Sequence, residues 1–183
     1  LEHACIFIQR IQLFANESAD LSPRLTRQID TFIRELGSEE YIDILGESLR
    51  LDRLPDIDHL PKLLALFPPT SLRDITELFE STKSMKTRRL LCQSLARLGE
   101  QNFNGLLRFL SDDRWFIVRN IAYTLGIIGT NKVVPHLEGL LDYPDKRVRK
   151  EALRALGVIG TPRACRAIVK GMHHEEETTR RQA

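Results

Sequence analysis

The densest group of side chains able to bind a metal is His173-His174-Glu175-Glu176, near the C-terminal end. Imidazole and carboxylate are ordinary zinc ligands, so this run is the first place to look for metal chemistry. Neighbouring residues on a turn, however, rarely converge on one ion without further ligands. The run also lies between two helical patterns, where solvent-exposed polar residues are expected. We therefore predict a solvated loop at this position, with no metal and no cofactor.

Catalytic motifs are missing from the sequence. It contains no GxSxG, no phosphate-binding loop, no GxGxxG and no HExxH. The five histidines have no recurring nucleophile or acid beside them. The sequence therefore predicts a protein without catalytic residues.

The three cysteines, Cys5, Cys92 and Cys165, have unrelated spacings and form no CxxC pair. Zinc ribbons and redox motifs usually need such pairs, so neither is expected. Cys92 and Cys165 lie among apolar residues in helical patterns, which predicts small core side chains. An odd number of unpaired cysteines favours a reducing, cytoplasmic compartment.

Basic residues recur near the start of successive predicted helices. One interpretation is a ladder in which each arginine pairs with an aspartate in a turn and keeps neighbouring repeats in register. The other is a basic stripe for phosphate or an acidic peptide, because stacked repeats align equivalent positions. We favour the ladder, with these candidates: Arg88, Arg119, Arg149, Arg180, Asp112, Asp142 and Asp145.

The overall charge of +2 conceals two halves of opposite sign. Residues 1–82 carry 8 Lys/Arg against 15 Asp/Glu, a formal charge of −7, whereas residues 83–183 carry 19 against 10, a charge of +9. A basic half can attract an acidic protein or nucleic acid electrostatically. Aromatic residues are thinly interleaved with the basic ones, so nucleic acid is the second choice.

These residues must be positioned by helices, because the sequence repeats with a helical pattern. Residues 117–130 align without gaps to residues 148–161 at an offset of 31. The apolar positions of the second copy fall on one wide face of a helix. Its small residues Ala152, Ala155 and Gly157 are predicted to let a neighbouring helix approach closely.

The ends of these helices are also marked. Gly129 and Gly160 lie where the pattern stops, which is typical of a left-handed helix cap. Asp113 and Asp145 precede the helices and are predicted to accept hydrogen bonds from free first-turn amides.

The pattern weakens toward the N-terminus. Helix pairs are predicted at 57–67 with 71–80 and at 87–99 with 103–110, and an earlier pair starts near Pro23. The sequence predicts a lone amphipathic helix at residues 2–15. We divide the chain into a divergent helical region, 1–56, and a repeat array, 57–183. The last five residues match the start of another repeat, so we expect a fragment of a longer protein.

The segments Thr-Leu-Gly-Ile-Ile-Gly-Thr at 124–130 and Ala-Leu-Gly-Val-Ile-Gly-Thr at 155–161 resemble the short HEAT-like repeats first described in phycobilisome lyases. The resemblance implies an all-α fold, an α-solenoid of stacked antiparallel helix pairs. Family members include lyases, hydroxylases and signalling adaptors, so it does not specify a function. Iron-binding hydroxylases of this type carry His-Glu pairs, and the matching positions here are Lys150-Glu151 and Arg119-Asn120. The histidines are absent, so the iron site is not expected.

The sequence therefore favours a non-catalytic scaffold that binds another protein or peptide, possibly an acidic one, on a surface lined by the second helix of each pair. Nucleic-acid binding through the basic half is the alternative, and an enzyme or lyase of the HEAT-repeat family is a weaker one. The apolar stretches of the sequence are far shorter than the roughly 20 residues of a membrane span, so no membrane partner is expected. The candidate contact residues are Arg108, His136, Glu138, Arg166 and Lys170.

Overall fold

The structure, a computed structural model, describes residues 23–51, 53–54 and 57–172. These residues form helices joined by short turns, with no strand among them. The predicted all-α class of stacked helix pairs is confirmed. No helix in the described part is both long and apolar enough to cross a membrane. The predicted helix at 2–15 and the predicted repeat start at 179–183 lie outside the described residues.

The chain divides into two compact units between Leu98 and Gly99. The boundary predicted between residues 56 and 57 marks where the repeat pattern weakens in the sequence. It rests on a different criterion and stays a prediction. The helices of the first unit, together with the one that contains the division, are α1 (Pro23–Leu36), α2 (Glu39–Arg50), α3 (Leu60–Leu64), α4 (Leu72–Ser81) and α5 (Met85–Gln101). Short 3-10 turns at Ile57–His59 and Pro69–Ser71 precede α3 and α4.

The second unit contains the repeats that are clearest in the sequence. Its helices are α6 (Phe103–Leu107), α7 (Trp115–Ile128), α8 (Val134–Gly139), α9 (Lys146–Ile159) and α10 (Pro162–Met172). The short second helices α6 and α8 continue as 3-10 turns at Arg108–Ser111 and Leu140–Asp142. Pro135 and Pro162 lie in first turns, where the missing proline N–H is tolerated.

The long helices α7 and α9 end at the glycines that the sequence predicts. Their N-terminal caps agree with the prediction for α9 and differ from it for α7. Gly129 and Gly160 are left-handed, with φ of 67° and 60°, and their N–H groups close the last turns. Asp145 caps α9, accepting from the Arg147 N–H at 2.8 Å. The prediction for Asp113 is wrong. The N-cap residue of α7 is Arg114, and Asp112 accepts from the Arg114 N–H at 2.9 Å.

Close packing of α7 against α9 explains the small residues in the repeat. A Cβ placed on Gly126 would lie 2.9 Å from the Ala155 Cβ and 3.2 Å from its Cα. The predicted role of Ala155 is therefore confirmed, with Gly126 as its partner. Gly157 occupies the equivalent position one repeat later, and a Cβ there would have no atom within 4 Å. Within the described residues Gly157 does not serve a close approach.

The core of the second unit comes from the inward faces of these helices. Leu125 and Leu156 are equivalent positions of successive repeats, and both are fully buried. Cys92, on α5, is buried as predicted, but Cys165 is exposed. The prediction for Cys165 is wrong because Ala164 and Ala167 supply the buried side of α10, and residue 165 is left on the outer side.

Candidate protein-binding surface

The second helices of the second unit lie side by side and contact one another in chain order. The rings of Phe103 on α6 and His136 on α8 meet edge to face, with centroids 5.9 Å apart. The Lys170 Nζ on α10 donates to the Glu138 Oε1 on α8 at 3.0 Å. These two contacts join three consecutive second helices into one surface, which we call the second-helix face.

All five predicted contact residues are on this face or at its margin. Arg108 and Arg166 are exposed, and His136 is half-buried against Phe103. Glu138 and Lys170 pair with each other, and the hydrogen bond that Lys170 donates to the Glu138 carboxylate raises the pKa of the Lys170 ammonium. Lys170 is exposed like the two arginines, but its ammonium is paired with Glu138 on the neighbouring helix.

Two members of the predicted arginine row, Arg88 and Arg149, donate to backbone carbonyl oxygens. Arg149 is buried, and its Nη1 donates to the carbonyl oxygens of Tyr143 and Pro144 at 2.6 and 2.8 Å. Arg88 donates similarly to the carbonyl oxygens of Lys83 and Ser84, at 2.8 and 3.4 Å. Both arginines close the turn that precedes their own helix, and a role in keeping the repeats in register stays a prediction.

The remaining members of the predicted row are placed differently. The Arg119 Nη2 donates to the neighbouring Asn120 Oδ1 at 2.7 Å. Asp112 pairs with Arg114, and Asp142 is exposed. Arg180 lies outside the described residues.

A contact between repeats does exist, and it uses Arg147. The guanidinium of Arg147 binds Asp145 through two hydrogen bonds of 3.0 and 2.7 Å. Its Cζ also lies 3.3 Å from the ring centroid of Trp115, on the preceding repeat. Such stacking of a cation on an indole ring is attractive. We call Asp145, Arg147 and Trp115 the clasp. An Asp-x-Arg pattern at 112–114 and again at 145–147 was the available sequence signal.

The clasp makes the second unit sensitive to acid. The Arg147 hydrogen bond lowers the pKa of Asp145 from 3.8 to about 2. A carboxylate with a lowered folded-state pKa stabilises the fold above its unfolded pKa, and this contribution disappears as the pH falls through the folded pKa. We expect Asp145→Asn to lower the free energy of unfolding at neutral pH, with the difference shrinking between pH 3.8 and about 2.

Urea unfolding across this pH range measures the effect. The matched control is Asp113→Asn, which removes an exposed aspartate that does not cap α7. A difference between Asp145→Asn and wild type that is constant with pH would contradict an ionic role for the clasp.

Comparison with known proteins agrees with this arrangement. A family model of HEAT repeats matches residues 72–147, and a model of the PBS lyase HEAT-like repeat matches residues 148–174. Together they cover more than half of the chain without a gap. The chain belongs to the HEAT-like repeat family. No curated protein matches this HEAT-like chain significantly.

Two solved structures are similar to the HEAT-like chain over most of its length. One is an engineered protein from a structural-genomics programme, with 14% identity, coverage of 94% of this chain and 93% of that chain, and a TM-score of 0.36. The other is a designed armadillo repeat protein in complex with the peptide (KR)4, with 16% identity, coverage of 96% and 95%, and a TM-score of 0.35. These TM-scores are too low to establish a shared three-dimensional arrangement.

Glu151, one of the positions that match the iron-binding pairs of HEAT-like hydroxylases, lines a small cleft between α7 and α9. The cleft has a volume of about 180 Å³ and is lined in part by Tyr123, Ile127, Glu151 and Val158. Burial raises the pKa of Glu151. Its Oε1 is buried without a hydrogen-bond partner. Within the described residues, no three His, Cys, Asp or Glu side chains are grouped to hold a metal ion.

Proposed function

We propose that this HEAT-like chain is a non-catalytic scaffold of the cytoplasm that binds another protein through its second-helix face. The supporting observation is the continuity of that face. Contacts between second helices join three repeats, and Arg108 and Arg166 stay exposed. The free thiols of Cys92 and Cys165 are compatible with a reducing compartment.

The partner is expected to offer an acidic segment. Arginine binds carboxylate through two parallel hydrogen bonds, which gives directional recognition. Arg108 and Arg166 supply this chemistry from α6's 3-10 extension and from α10. The half-buried rings of Phe103 and His136 add aromatic contact area to the same face.

A labelled amphipathic peptide of glutamate and leucine tests this proposal, with glutamine in place of glutamate as the uncharged probe. We expect the double variant Arg108→Gln/Arg166→Gln to raise the Kd for the acidic peptide about tenfold, because each exposed ion pair contributes up to about 1 kcal/mol. The matched control is Lys146→Gln/Lys150→Gln. It removes the same charge from exposed positions of α9, a first helix.

Three outcomes would contradict the proposal. Equal binding by the two double variants would mean that net charge, not the second-helix face, attracts the peptide. Equal binding of the glutamine probe would remove the role of carboxylates. Tighter binding of duplex DNA, with an affinity that falls steeply as salt rises, would favour nucleic acid as the partner.

A further inference from the structure

A groove runs between α2 and α4, the second helices of two consecutive pairs in the first unit. Its volume is about 640 Å³. Ile42 and Leu78 line its floor and are buried, whereas Ile44 lines it with 57% of its surface exposed. Most of the Ile44 side chain is therefore available for contact with a second molecule.

The two helices that form the groove run side by side. The charge of Glu39, at the start of α2, acts on Asp74 near the start of α4. Further along, a Cβ on Gly46 would lie 3.2 Å from Leu78 Cδ2 and 3.3 Å from Ser81 Oγ. The helices therefore share one direction, and Gly46 lets them approach closely below the groove.

Carboxylates line both sides of the groove. On each helix they recur three or four residues apart, so each set forms a row on one face. Such spacing of like charges disfavours an isolated helix, so helix stability does not account for the rows. Among the described lining residues Arg50 is the one cation, and it pairs with Glu47 at 3.2 Å. The rows are Glu39, Asp43 and Glu47 on α2, and Asp74, Glu77 and Glu80 on α4.

The negative charge of these rows affects the pKa of Asp74. Its pKa is raised, first by burial and then by the nearby charge of Glu39, with smaller contributions from Asp43 and Glu77. A group bearing positive charge would oppose this mutual repulsion when it enters the groove.

The length of the rows indicates what kind of molecule can bind in the groove. Glu39 and Glu47 are eight residues apart on α2, a distance of about 12 Å at a rise of 1.5 Å per residue. A single ion cannot contact both ends of such a row, whereas an extended segment with several positive side chains can. The exposed Ile44 adds an apolar contact.

We infer that the groove between α2 and α4 docks a partner segment that is rich in lysine or arginine and carries apolar side chains. The groove is lined by residues of the first unit, and none of them belongs to the second-helix face. The inference extends the proposed scaffold function, and it concerns a partner of opposite charge.

A labelled amphipathic peptide of lysine and leucine tests the inference on the full chain, with its acetyl-lysine version as the uncharged probe. We expect Asp43→Asn/Asp74→Asn to raise the Kd for the lysine peptide about tenfold, since two ion pairs worth up to about 1 kcal/mol each are lost. Ile44→Ser should raise it about threefold through lost apolar contact. Because Ile44 is exposed, this second variant is expected to fold normally.

The matched control is Glu35→Gln/Glu40→Gln, which removes the same charge from exposed positions that do not line the groove. A Kd for this control equal to that of Asp43→Asn/Asp74→Asn would overturn the inference. Equal binding of the acetylated probe would also overturn it. Concentration-dependent dimerisation that the groove variant abolishes would identify a second copy of the chain as the occupant instead. Arg108→Gln/Arg166→Gln should bind the lysine peptide normally, so failure of either proposal is distinguishable from failure of the other.

Discussion

Replacing Gly126 with leucine is expected to lower the free energy of unfolding by about 3 kcal/mol, the upper part of the usual range for over-packing. The obstacle is backbone, because the Ala155 Cα lies 3.2 Å from the site of the new Cβ. A flexible side chain could move away, but the α9 backbone can move only if the whole helix shifts. The two repeats would then separate along their closest contact.

Gly157→Leu is the matched control, because the same change is made at the equivalent position one repeat later. Nothing lies within 4 Å of a Cβ there, and leucine favours a helix over glycine by up to about 1 kcal/mol. We therefore expect no loss of stability, and a small gain. Urea unfolding followed by far-UV circular dichroism measures both variants. A similar loss in both would show that glycine is needed for a reason other than helix packing.

Arg149→Met is expected to lower the free energy of unfolding by about 3 kcal/mol, because hydrogen bonds from a charged donor are worth about 1.5–3 kcal/mol each. Arg149 is only 6% exposed, and it serves the carbonyl oxygens of Tyr143 and Pro144. Methionine has similar length and keeps the packing of the side chain, but it donates no hydrogen bond. The turn before α9 would lose the donor that closes it.

Arg88→Met is the control that tests whether burial makes the arginine hydrogen bonds important for stability. Arg88 closes its own turn through the carbonyl oxygens of Lys83 and Ser84, but these hydrogen bonds are exposed. Water can replace the lost donor there, so we expect a loss below about 1 kcal/mol. Urea unfolding again provides the measurement. Equal losses for Arg88→Met and Arg149→Met would mean that burial does not set the importance of these arginines.

The helices of the second unit could be predicted because each carries its own signals. Apolar spacing marks the buried face, Gly129 and Gly160 mark the ends, and Pro135 and Pro162 mark the starts. These signals act within one helix or its adjoining turn, so a single sequence contains them.

Contacts between helices could be predicted only where the repeat itself implied them. The repeat predicts that Ala155 is a small packing residue, but only the structure shows that its partner is Gly126. In the clasp, Asp145 binds Arg147 and not Arg149, because a difference of two positions turns a side chain to another side of the helix. Periodicity alone does not give that choice.

The candidate surfaces show the same limit. The acidic excess of the N-terminal half is plain in the sequence, but it gives no sign that α2 and α4 line one groove. The contact of Phe103 with His136 joins residues from different repeats, and neither helix contains a local signal for it. Pairings of this kind depend on the packing of whole repeats.

The clasp can also be followed by fluorescence, because it contains a tryptophan. Trp115 is the only tryptophan in the chain, and the Arg147 guanidinium lies 3.3 Å from the centre of its indole ring. The two residues belong to successive repeats, so a charge sits over the ring only while α7 and α9 are docked. Tryptophan fluorescence therefore reports on one junction between repeats, and it can follow the separation of those repeats without an attached dye.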